Sequence, residues 1–115
     1  GYTDKEKIII ARAHLLPRIR EQVKFDEGEV VIPDETVLHL ISKQTNGEQG
    51  VRNLKRCLEI VHTKLNLYRL MKPGSNLFEK DMALDVSFPF TVTTEVADKL
   101  IRVEERTGAW RSMYM

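Results

Sequence analysis

Cysteine is nearly missing from this sequence. Cys57 is the only one in 115 residues, so no disulfide framework can hold the fold. Long apolar runs are missing as well; none approaches the ~20 residues that a membrane-spanning helix needs. Neither sign of charge prevails: 18 basic residues stand against 17 acidic ones, a net charge of +1. That balance argues against a basic nucleic-acid module, an acidic tail or a polybasic membrane anchor. Six glycines and four prolines are too few for a low-complexity or collagenous chain, and there is no internal repeat. Gly1-Tyr2-Thr3-Asp4 opens the chain without the charged-then-apolar pattern of a targeting signal, and the sequence reads as a piece of a longer protein. What is present, 42% apolar and 30% charged residues, suits one soluble, mostly helical domain in a reducing compartment.

Local patterns divide the chain into elements. Thr3 and Glu6 have the spacing of a capping box, ahead of the dense apolar set Ile8, Ile9, Ile10, Ala11, Ala13, Leu15 and Leu16. That set predicts a helix buried over a wide stripe, with Lys5, Lys7 and Arg12 off it. Pro17 ends this helix or starts the next turn, and a short second helix follows over 17–23. Asp26-Glu27-Gly28-Glu29 reads as a turn, and 30–32 as a short β-branched strand stopped by Pro33. Asp34 is placed to cap a third helix over 35–44, with Val37, Leu38 and Ile41 on one face. Asn46 and Gln49 have the spacing of another capping box. Val51, Leu54, Leu58, Val61, Leu65 and Tyr68 then recur at alternating three- and four-residue steps, the clearest helix in the chain. Residues 72–76 are a turn cluster, 76–85 read as a loop with a helical turn, and 88–92 as a second strand. Thr93 or Thr94 caps a last helix with Val96, Ala97, Leu100 and Ile101 inward, ending near Thr107-Gly108. Two strands this short need each other, and the helices between them exclude a hairpin, so a parallel pairing is expected.

No enzyme can be assembled from these residues. There is no Gly-x-x-x-x-Gly-Lys phosphate loop. His14, His39 and His62 fall on separate helices with no Cys-x-x-Cys to complete a metal site. Cys57 lies beside the apolar stripe and reads as a small buried thiol. Ser75 and Ser87 have no identifiable base. The basic run Arg12, Arg18, Arg20 and Lys24 is interleaved with Glu21, Asp26 and Glu27 and reads as a solvated face. Arg52 is different. It stands in the first turn of the clearest helix, beside Gly50, where the helix terminus already carries positive partial charge and free amide donors. Such an arginine is either a plain exposed charge or a group set to meet an anion.

Three blocks carry a resemblance: Gly1-Tyr2-Thr3-Asp4-Lys5-Glu6-Lys7; Ile10-Ala11 followed by His14-Leu15 and Pro17; and Gly50-Val51-Arg52 with Leu54 and Arg56. In order and separation they resemble the small α-helical lid subdomain of Lon-type AAA+ proteases over about residues 1–101. The resemblance implies an α+β, mainly helical lid of four to five helices with a small two-stranded sheet, spanning 1–103, and a partly disordered tail over 104–115. It implies that Arg52 is the sensor-2 residue reaching the γ-phosphate of ATP, and that Tyr2, Ile10 and Val51 lie near the adenine end of the cleft. ATP with Mg2+ would be held mainly by an upstream large subdomain, with neighbouring subunits of a homo-oligomeric ring, by expectation a hexamer, and unfolded proteins as further partners. No metal site, specific nucleic acid or membrane is expected, and the location would be intracellular, cytoplasmic or the mitochondrial matrix. The chain itself would be inert and its parent an ATP-dependent serine protease. Departures are Gln49 where the family usually has alanine, a longer 73–88 segment, and a tail from Gly108 unlike the entry to a protease domain. Two other readings stand beside this one: a helical adaptor that docks a partner on the apolar stripe, and a helix-turn-helix DNA reader using Arg52, Lys55 and Arg56. Near-neutral charge counts against the second.

Overall fold

The computed structural model describes residues 2–43, 50–70 and 86–107, with backbone only at 106 and 107. Helix α1 (Asp4–Ile10) starts at the expected capping box. The Glu6 amide donates to the Thr3 hydroxyl at 3.1 Å, and the Thr3 amide donates to the Glu6 carboxylate at 3.0 Å. Pro17 does not end the helical rod. Five residues of π-helix, Ala11–Leu15, join α1 to α2 (Leu16–Val23), whose first turn holds the proline. A wider turn ahead of Pro17 relieves the clash its ring would make with the carbonyl four residues back, and a first-turn position needs no amide donor. The apolar set is also less buried than its density predicts. Ala11 is fully buried, but Ile9 is 58% exposed, while Lys7 lies inside.

Lys24, at φ 65°, closes α2 in the left-handed region, and the Asp26–Glu29 turn follows with Gly28 at φ 87°. Strands β1 (Val30–Val31) and β2 (Phe90–Thr91) pair in parallel, with Val30 opposite Phe90 and Val31 opposite Thr91. The pairing expected from strand length and connectivity is the one observed. Helix α3 (Asp34–Lys43) is opened by the Pro33 carbonyl, which accepts from the Thr36 and Val37 amides at 2.9 and 3.1 Å. Asp34 is therefore in the first turn and is not the cap. Its carboxylate instead accepts from Arg12 Nε at 2.8 Å, and the same guanidinium donates to the Ile32 carbonyl. On α3 the buried face is Thr36, Val37, Leu40 and Ile41. Leu38 points outward at 43% exposure, because a stripe at 37, 40 and 41 leaves it on the far side. The expected capping box at Asn46 and the 76–85 segment fall outside the described residues.

Helix α4 (Arg52–Leu70) is the axis of the domain. Leu54, Leu58, Val61 and Leu65 have no exposure, and Cys57 is 1% exposed. Val51 and Tyr68 are partly buried at the two ends of the stripe. The π segment, α2, α3 and α5 (Thr94–Thr107) all pack on α4. The stripe from Leu54 to Leu65 is thus core and is not a face on which an adaptor could dock a partner. Helix α5 is capped by Thr93, whose hydroxyl accepts from the Val96 amide, and buries Ala97, Leu100, Ile101 and Val103. The Thr36 hydroxyl donates to the Val92 carbonyl at 2.8 Å, fixing α3 to the end of the β ribbon. The result is an α+β, mainly helical fold in which two short strands tie the rod and the α3–α4–α5 group together. Among the described residues no helix is long and apolar enough to cross a membrane.

Two outcomes follow from this core. Leu58→Ala, which empties a fully buried site, is expected to cost about 2–5 kcal/mol in urea unfolding, and Leu38→Ala far less. His62 is 2% exposed, its Nδ1 donates to the Leu58 carbonyl at 2.8 Å, and burial pushes its pKa below the ordinary 6.5. The unfolded chain therefore takes up a proton that the folded one refuses. The contribution of this residue to stability is complete above pH ~6.5 and falls as the solution is acidified below it. Unfolding curves at pH 7 and pH 5 should show that loss, and His62→Gln should reduce it where His14→Gln does not.

Candidate functional site

The N-terminus of α4 is electrostatically unlike those of the other capped helices. Acidic residues occupy the first turns of α1 (Asp4 and Glu6), α3 (Asp34 and Glu35) and α5 (Glu95), where they complement the helix dipole. The first turn of α4 has none, and its first residue is Arg52. Val51 provides the opening carbonyl, which accepts from the Lys55 amide at 2.9 Å. Arg52 is exposed, and none of the ion pairs among the described residues engages it. A cation placed against a positive helix end without a counter-charge opposes stability by a few tenths of a kcal/mol, on the order of the usual dipole term. It is also a donor fork already facing outward.

Gly50 precedes this turn. Among the described residues, a Cβ built there meets nothing within 4 Å, and its backbone is outside the positive-φ region. Packing against the described residues and local conformation therefore do not require glycine at this position, in contrast to Gly28 at φ 87°. Ile10 is half-buried at the junction of α1 with the π segment, and that segment packs on α4. Val51 is half-buried against the core, and Tyr2 is 50% exposed just before the Thr3 cap. Tyr2 and Ile10 stand at opposite ends of α1, about 12 Å apart along its axis. They can border different parts of one face, but they do not converge on one point.

Several polar pairs join residues far apart in the sequence, where spacing carries no signal. Asp98 bridges α5 to α3 by taking His39 Nε2 at 2.9 Å and Lys43 Nζ at 3.4 Å. Ser42 lies beside this pair but donates its hydroxyl to the His39 carbonyl, not to the imidazole. Lys64 and Glu104, both largely buried, pair at 2.9 Å between α4 and α5. Arg69 stacks on the Phe25 ring at 4.0 Å and donates to the Val23 and Lys24 carbonyls at 3.1 Å, satisfying the end of α2. His14 is exposed, and no group of three metal-ligating side chains occurs among the described residues.

No family model matches the chain. Individual proteins do. It is 34% identical over 103 residues, 90% of its length, to the Lon protease of Aquifex aeolicus, and 34% identical over 114 residues, 99% of its length, to that of Mycoplasma mobile. Over 64 residues, 56% of the chain, it is 44% identical to the mitochondrial Lon protease homolog of Candida dubliniensis. These matches cover 11%, 12% and 6% of the respective relatives, so the chain spans about a tenth of their length or less.

Gly50→Ala separates a folding role from a functional one. With open space and an ordinary φ, alanine is expected to leave the melting temperature unchanged or to raise stability by about 0.4–1 kcal/mol through the unfolded state. A thermal melt of the two forms checks this, and clear destabilisation would mean that glycine is needed by the fold.

Proposed function

Because this chain is a segment of the Lon-protease type, we propose that it works as the small helical lid of an ATP-driven motor, with Arg52 as the residue that meets the nucleotide phosphates. The observation that carries the reading is the exposed Arg52 guanidinium, in no ion pair among the described residues, on a first turn of α4 that holds no acidic residue. A γ-phosphate would satisfy the guanidinium and the terminal amides together. The open space at Gly50 supports close approach by a ligand or a facing domain. Tyr2, Ile10 and Val51 would border the adenine end of the same face. Mg2+ would be held by the upstream large subdomain; the first turn of α4 holds no acidic residue. Bound there, it would neutralise phosphate charge.

Coupling would be geometric. While the triphosphate is present, Arg52 holds the lid closed against the large subdomain. Hydrolysis and phosphate release remove that anion and free the lid to rotate as a body. In a ring, the rotation would be passed to the neighbouring subunits and to the unfolded protein being translocated for proteolysis. The chain alone has Arg52 and a helix end but no phosphate loop or catalytic base for the reaction.

Two measurements test this. Calorimetry on the 115-residue chain is expected to show no micromolar ATP binding and no turnover. In the parent protein, Arg52→Ala is expected to lower ATP turnover by about ten- to a hundred-fold, the size of a charge-assisted contact of about 1.5–3 kcal/mol. Melting temperature should stay unchanged, and Arg52→Lys should restore only part of the rate, because an ammonium cannot fork to two oxygens. Arg18→Ala, another exposed arginine, is the control. Equal effects at both positions would remove Arg52 from the mechanism.

A further inference from the structure

Four side chains from three parts of the sequence meet at the C-terminal half of α4. Phe25, directly after the left-handed Lys24 that closes α2, is 3% exposed. Its ring lies 5.4 Å from that of Phe88, just ahead of β2. The His62 imidazole meets the same ring edge-on, at 6.3 Å between centroids and 66° between planes. Arg69 covers the ring at 4.0 Å and donates to the Val23 and Lys24 carbonyls. Phe25 is thus the plug that holds the end of α2 and the Asp26–Glu29 turn against α4. His62 is the member of this cluster that can gain a charge near neutral pH.

That charge would find little compensation in place. The imidazole is buried, and its Nδ1 already donates to the Leu58 carbonyl. Arg12 from the π segment, Arg20 from α2 and Glu27 from the turn line one cleft with His62, and Arg69 lies on Phe25. Three of these four groups are cations. Arg12 is drawn to Asp34, and Arg69 to Glu29. On α5, Glu104 is held by Lys64 of α4, and Asp98 by His39 and Lys43 of α3. Glu59, three residues before His62, lines a different cleft with Arg56 and Glu104.

We propose that His62 and Phe25 form an acid-sensitive latch: protonation of the imidazole expels Phe25 and frees the end of α2 and the following turn from α4, while the α3–α4–α5 core stays folded. Release of Phe25 is the shortest way to bring water to an imidazolium. The Nδ1 bond lies within one turn of α4 and survives the release, so the helix need not unwind. Burial lowers the His62 pKa in the closed form, so the open form takes up the proton first and is favoured as pH falls below about 6.5. The acid sensitivity of the domain is thereby placed at one joint, and at neutral pH the joint is closed. The latch does not depend on the nucleotide reading.

The test is amide hydrogen exchange on the 115-residue chain by NMR between pH 7 and pH 5, with the intrinsic pH dependence of exchange removed. Protection at the Lys24 and Phe25 amides is expected to fall about ten-fold, under the one-proton ceiling of about thirty-fold. The Leu58, Leu65 and Leu100 amides should change far less. His62→Gln should flatten the loss, and His14→Gln and His39→Gln should leave it. The wild-type chain with labelled histidine gives a second readout, which serves even if His62→Gln does not fold. As His62 takes up its proton, the Phe25 and Phe88 ring signals should change with the same midpoint. No loss at Lys24 and Phe25, or an equal loss at the core amides, overturns the latch. So does a loss that persists in His62→Gln, or protonation of His62 that leaves both rings unmoved.

Discussion

Burial of α4 on several sides at once is the constraint on which the rest of the structure depends. Leu54, Leu58, Val61 and Leu65 are fully enclosed, and even Lys64 and His62 on the same helix are buried. The rod, α3 and α5 each lay an apolar face on it. Removing that much apolar surface from water is what makes so small a chain able to form a core. One side of the helix stays open to solvent, with Arg56, Thr63 and Leu67 exposed along it. The two ends have opposite fates. Near the C-terminus Arg69 turns to the carbonyls that finish α2, and its charge is spent on structure. At the N-terminus Arg52 is left facing outward.

The remaining polar pairs orient the elements around that axis. Arg12 fastens the π segment to Ile32 and Asp34, Asp98 joins α5 to α3, and Lys64–Glu104 joins α4 to α5. The exposed pairs contribute little stability. The buried Lys64–Glu104 pair would be costly to break on one side only. Together they fix how the rod and the α3–α4–α5 group sit on each other. That rigidity suits a domain proposed to move as one body, because a soft lid would absorb a displacement at Arg52 instead of passing it on.

Sequence and structure divide the result along a physical line. Features set by neighbours within one or two turns were legible beforehand: the Thr3–Glu6 box, the α4 stripe, the Thr93 cap, the Asp26–Glu29 turn and the parallel partnership of two very short strands. Helical period, capping chemistry and connection length are local quantities, and they suffice for these. Arg52 was singled out because its position in the helix is locally unfavourable and because the surrounding residues resemble a known lid; the structure shows it exposed at the start of α4.

Tertiary structure decided what depends on residues distant in sequence. It buried Leu40 in place of Leu38 and enclosed Lys7, because the facing element, and not the helix's own period, chooses which edge of a broad apolar stripe is covered. It carried the helical rod through Pro17 by a π turn. It gave Asp34 to Arg12, 22 residues away, and Asp98 to His39, 59 residues away. It placed the buried His62 on the lining of a cleft that no spacing rule describes. The sequence by itself determined the elements and the odd arginine, since those are written in periods of two to four residues. Only the folded chain determined which charges are paired and which, Arg52 among them, enter no ion pair among the described residues, since pairing is a matter of distance in space.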